Sequence, residues 1–69
     1  MQHPTAGKIA DAGNKYIGKA ISFPDFHGRT VTGILEKATA PASAAYATLK
    51  TVGGRDCAVF RNTPVTVIE

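Results

Sequence analysis

Within the 69-residue chain, the run Phe26-His27-Gly28-Arg29 combines side chains suited to gripping nucleic acid or another anion. A solvent-facing ring stacks on a base, a guanidinium pairs with phosphate, and glycine lets the backbone approach closely. Two more rings, Tyr16 and Tyr46, lie near the cations Lys15, Lys19 and Lys50, and Arg55 follows the Gly53-Gly54 pair. If folding gathers Lys19, Phe26, Arg29, Tyr46, Lys50 and Arg55 on one face, the result is the aromatic-plus-cation surface that single-stranded nucleic acid favours. These six are the candidate binding residues. Each has a plainer alternative: Phe26 can plug one end of a small barrel beside a merely solvated Arg29. The tyrosines can lie along a sheet with their hydroxyls wet.

Other chemistries are poorly supplied. Cys57 follows Arg55-Asp56, where a cation can lower a thiol pKa, but no histidine or carboxylate stands at a spacing that suggests a triad. A small apolar residue also packs well at that strand start. His3 can chelate copper(II) or nickel(II) together with a free amino terminus and two amides, a coincidence of sequence rather than a metal centre. The carboxylates Asp11, Asp25, Glu36, Asp56 and Glu69 are far apart, and no glycine-rich phosphate loop is present. The chain reads as a non-enzymatic binding module that needs no cofactor.

Composition sets the frame for these side chains. With 43% apolar residues and charges of mixed sign, the chain is globular rather than disordered. Its length suits one domain, which buries only ~60% of its unfolded surface and is marginally stable alone. The net charge of +3 is a mild basic excess, and the eight Lys and Arg are scattered singly, so only folding can concentrate them. A single cysteine excludes an internal disulfide framework and points to a reducing compartment. No segment reaches the ~20 apolar residues of a membrane span, and the start lacks a secretion pattern. A cytoplasmic location is expected, with nucleic acid or a protein as partner, no membrane, and a homo-oligomer as one route to added stability.

Residues 1–14 read as an arm, either disordered or with one helical turn around residues 5–12, and Ile9 is its one strong anchor. Residues 15–23 read as the first strand, with Ile17, Ile21 and Phe23 on one parity and Pro24 expected to stop the ladder. A turn-rich loop leads to a second strand over 30–38, where Val31, Gly33 and Leu35 share the buried face. Residues 45–52 and 57–60 read as a hairpin about Gly53-Gly54, both glycines taking positive φ. Alanine-rich residues 41–50 also suit a helix, in which case the glycines become its C-cap and the class becomes α+β. A short link, 61–64, leads to a closing strand over 65–69.

Gly18 and Gly33 in the early strands, the loop at 24–29, the Gly53-Gly54 hairpin and the short 61–64 link carry a resemblance of architecture. Over residues 15–69 the order resembles the SH3-like small β-barrels, which implies a mostly β fold of about five strands. Members of such barrels bind peptides, RNA, DNA or one another, so the resemblance does not choose a function. The proline-peptide-binding members carry a Trp and an Ala-Leu-Tyr-Asp-Tyr segment, both absent here. The small plasmid-borne dihydrofolate reductases, similar in size, carry a Val-Gln-Ile-Tyr run where this chain has Cys57-Ala58-Val59-Phe60. The size suits a phage or mobile-element protein. Two functions stay open: nucleic-acid contact through the basic face, and a protein-interaction or assembly surface that includes Phe26, Ile34 or Val52.

Overall fold

A computed structural model describes residues 2–68. The fold is mostly β: a helix, α1 (Ala6–Asp11), precedes strands β1 (Ala20–Pro24), β2 (Thr30–Thr39), β3 (Tyr46–Thr51), β4 (Asp56–Phe60) and β5 (Thr66–Val67). The strands form one antiparallel sheet in the order β4-β3-β2-β1-β5. The longest strand, β2, serves two partners. Its first half pairs with β1, from Pro24↔Thr30 to Ala20↔Ile34, and its second half with β3, from Leu35↔Thr51 to Thr39↔Thr48. The register slips between Leu35 and Lys37, where Glu36 is the extra residue. Such a bulge bends and twists the strand, which lets one sheet curl round its own core.

Period-two alternation decides which face turns inward. Ile21 and Phe23 on β1, Leu35 on β2, Ala47, Leu49 and Thr51 on β3, Val59 on β4 and Val67 on β5 are all buried. Phe23, Ile9, Ile21, Leu35, Leu49 and Val65 are the largest fully enclosed side chains, each contributing roughly 1.5–3 kcal/mol of transfer free energy. Ile9 comes from α1, which packs against β2, β3 and β4. The Thr5 hydroxyl caps this helix by accepting from the Lys8 N–H at 3.3 Å.

Residues 2–7 run antiparallel to residues 61–67. The Val67 N–H donates to the Gln2 carbonyl at 2.8 Å and the Val65 N–H to the Pro4 carbonyl at 2.8 Å. The Ala6 and Gly7 N–H groups donate to the carbonyls of Thr63 and Arg61 at 2.9 and 2.8 Å. The outer side of β5 is therefore covered by the chain's own beginning.

Three local expectations are corrected, and over residues 41–50 the strand reading holds while its helical alternative falls. Residues 15–19 are turns rather than strand: Asn14 and Tyr16 carbonyls accept from Ile17 and Lys19 N–H groups at 3.2 and 3.1 Å, satisfying backbone that a ladder would otherwise use. Pro24 is the last rung of β1 rather than its stop, an end position where a missing N–H costs no ladder bond. Residues 41–50 are not helical; a turn closed by Ala44 N–H to the Pro41 carbonyl at 3.0 Å precedes β3, whose Ala47 and Leu49 alternate into the core. The closing strand is only Thr66–Val67, the two residues that pair with Ser22 and Ile21 of β1; Glu69 lies outside the described residues.

Of the glycine pair, Gly53 alone has positive φ, +77°. With the Gly54 N–H donating to the Thr51 carbonyl at 2.9 Å, this matches a type II turn, which needs the left-handed residue only at its third position.

Candidate functional site

The loop between β1 and β2 is built by Asp25. Its carboxylate oxygen Oδ1 accepts from the N–H groups of His27 and Arg29, both at 2.9 Å. The Gly28 N–H donates to the Asp25 carbonyl at 3.2 Å, and the Asp25 N–H to the Arg29 carbonyl at 2.8 Å. With Gly28 at φ +78°, this is a type I turn closed by a left-handed residue, a common three-residue hairpin solution. The turn leaves Phe26 at its outer corner, 54% exposed. Phe26 is therefore no barrel plug.

Phe26 instead meets two other exposed rings. Its centroid lies 5.8 Å from that of Tyr46 and 5.6 Å from that of Phe60, in edge-to-face geometry with interplanar angles of 68° and 88°. Tyr46 and Phe60 stack on each other at 5.2 Å and 25°. They face each other across β3 and β4. The Arg61 N–H donates to the Ala45 carbonyl at 3.0 Å, so the alternation of the ladder makes Tyr46↔Phe60 a non-hydrogen-bonded pair. Such pairs bring side chains closest. Three half-exposed rings from a loop and two strands thus form one apolar cluster.

Cations border it unevenly. Phe26, Arg29 and Arg55, with Asp25, Asp56 and Cys57 among their neighbours, line an open groove of about 470 Å3 between the hairpin loop and β4. A smaller hollow of about 200 Å3 lies between Phe26, Phe60 and Val59. Neither guanidinium in the groove has a carboxylate within ion-pair distance among the described residues. Lys50 shares the outward side of β3 with Tyr46, and Lys37 stands opposite it on β2. Lys50 Nζ lies 2.7 Å from Glu36 Oε2, a partly exposed surface ion pair.

Five of the six residues singled out from the sequence thus share this side of the molecule: Phe26, Arg29, Tyr46, Lys50 and Arg55. Lys19 does not. It precedes β1 at the end away from the hairpin loop, and its carbonyl accepts from the Leu35 N–H at 3.0 Å. Tyr16, also weighed as a surface ring, is 8% exposed and belongs to the core. Phe60 and Lys37 were missed. Phe60 was within reach: counted outward from Gly53, it is as far along the chain as Tyr46 and must face it across the hairpin.

No family model, curated protein or solved structure matches the chain. No helix among the described residues is long and apolar enough to cross a membrane. The site therefore has to be interpreted from its own chemistry.

Proposed function

We propose that the chain is a non-enzymatic module that binds nucleic acid with the outward side of β3 and β4 and the adjoining hairpin loop. The observation that carries this reading is the assembly of Phe26, Tyr46 and Phe60, each about half exposed, beside Arg29 and Arg55, neither of which has a carboxylate partner among the described residues. Rings supply stacking surface, guanidinium groups supply phosphate contacts, and neither requires a reacting centre. The strand order and the shared β2 support an SH3-like barrel as the architecture, with the β1–β2 and β3–β4 hairpins and the short link before β5 in the places expected of one. Fluorescence anisotropy with labelled DNA and RNA tests the reading. With Arg29, Lys37 and Arg55 as the available cations and Lys50 shared with Glu36, binding should weaken with salt at a log–log slope of about −2, and no steeper than about −3, on a single strand. Replacing Arg29 and Arg55 together should flatten that slope by about 1.4. Absence of binding at low salt to every nucleic acid offered would end the proposal.

One observation favours a second reading, an assembly module. In the β3–β4 ladder, Asp56 and Ala58 direct their backbone N–H and C=O groups away from β3, leaving an unpaired sheet edge. Strand pairing through that edge predicts a concentration-dependent dimer in sedimentation; a monomer across the full concentration range would dismiss it.

A further inference from the structure

We infer that the nucleic acid taken by this surface is a single strand, contacted over no more than about four nucleotides, with a base resting against the Phe26 ring. This inference rests on the nucleic-acid reading above and narrows it. The Phe26 and Phe60 side chains have no hydrogen-bonding atoms, so apart from the small apolar contact a thymine methyl offers, their main attractive partner in nucleic acid is the face of a base. In a duplex those faces are covered by neighbouring base pairs, whereas in a single strand they are open. Some proteins reach the faces of a duplex by driving one protruding apolar side chain between base steps. Phe26 is not placed for that, because its ring is held edge-to-face against both Tyr46 and Phe60. The cluster is a broad platform rather than a wedge.

Cation supply points the same way. Duplex binding without base readout depends on many phosphate contacts, and this side offers Arg29, Arg55 and Lys37, with Lys50 already paired to Glu36. So few contacts leave stacking as the main source of affinity. The reach of the surface follows from strand geometry. Tyr46 and Lys50 are four residues apart on β3, about 13 Å, which spans roughly four nucleotides at the ~3.4 Å rise of a stacked strand and fewer when it is extended. Asp25 holds the loop in place through its two backbone hydrogen bonds, so Phe26 is presented in its binding position before any ligand arrives.

The probes are fluorescein-labelled oligothymidylates of two to ten nucleotides and a twenty-base-pair duplex, with Phe26→Ala and Phe26→Tyr as variants. Phe26 lies outside the core but touches two rings, so Phe26→Ala should lower the melting temperature modestly and Phe26→Tyr little, with both folded at the temperature of the titration. Affinity for oligothymidylate should rise with length to about four nucleotides and then level off, and the duplex should bind at least about tenfold more weakly. Phe26→Ala should weaken the single strand about tenfold while leaving the duplex unchanged, and Phe26→Tyr should restore it. Tyr46 adds a direct readout: its emission should be quenched on binding, and the quench should vanish in Tyr46→Phe. Equal affinity for strand and duplex, or salt-sensitive binding indifferent to Phe26→Ala, would overturn this inference while leaving the nucleic-acid reading in place. No binding to either probe would overturn both.

Discussion

Replacing Arg61 by methionine should destabilise the domain by about 2–3 kcal/mol, although the residue belongs to neither the core nor the candidate site. Its Nε donates to the Ala44 carbonyl at 2.8 Å, and its Nη2 donates to the carbonyls of Pro41 and Ala40 at 2.8 and 3.3 Å. Nη1 lies 3.3 Å from Asp11 Oδ2. One side chain thus ties α1 and the link between β2 and β3 to the end of β4. A hydrogen bond from a charged donor contributes roughly 1.5–3 kcal/mol when dry and about 1 kcal/mol where water can replace it, as at these half-open carbonyls. The two short bonds dominate. The Asp11 pair adds less than about 1 kcal/mol because that carboxylate is mostly exposed. Total stability at ~0.05–0.15 kcal/mol per residue is roughly 3–10 kcal/mol, so the loss is a large share of it. With a urea m-value of about 1 kcal/mol/M, the midpoint should fall by about 2–3 M. Arg61→Lys should recover little, since its three donors sit on one nitrogen and cannot stand at the separate positions of Nε and Nη2, and Asp11→Asn should cost under about 1 kcal/mol. Urea melts followed by circular dichroism decide the matter. A midpoint for Arg61→Lys equal to that of the parent would refute the reasoning.

Three further substitutions test separate parts of the structure. Ile9→Ala should cost about 2–5 kcal/mol, because α1 delivers this fully enclosed side chain to the core; thermal melting should show a large drop. Gly53→Ala should cost roughly 1–2 kcal/mol, measured the same way, because Cβ disfavours φ +77° while nothing nearby blocks it sterically. Asp25→Ala removes two hydrogen bonds at 2.9 Å that hold the hairpin loop and should cost about 1–2 kcal/mol in stability. It should also weaken oligothymidylate binding by releasing Phe26, which an anisotropy titration would read alongside the melt.

Local chemistry explains which features are legible in the sequence. Alternation marks Ile21, Phe23 and Leu35 as inward-facing, and Gly53-Gly54 marks the β3–β4 hairpin, because both signals reside in neighbouring residues. The five-strand, mostly β class follows from them. The helical alternative for residues 41–50 arose from alanine propensity, and burial of Ala47 and Leu49 against the core overrides that weak preference. Arg61 looked like one more scattered cation, since its three carbonyl partners lie about twenty residues away and backbone carbonyls leave no mark on sequence. The ring cluster was half legible: Phe26 and Tyr46 stood out as aromatic, but their meeting depends on how β2 bends, which a single bulge at Glu36 sets.

The pairing of residues 2–7 alongside 61–67 has a consequence for growth beyond one molecule. A sheet with two open sides can add copies without end, and such chains of strands become fibres. Here one side is closed by the chain itself, leaving β4 as the single open side among the described residues. Two copies joined through β4 would each use up that edge, and on the other side only His3 turns its backbone outward before the chain enters α1, which gives a third copy little to pair with. The same segment begins α1 and buries Ala6, so the cover over β5 cannot be lost without loosening the core as well.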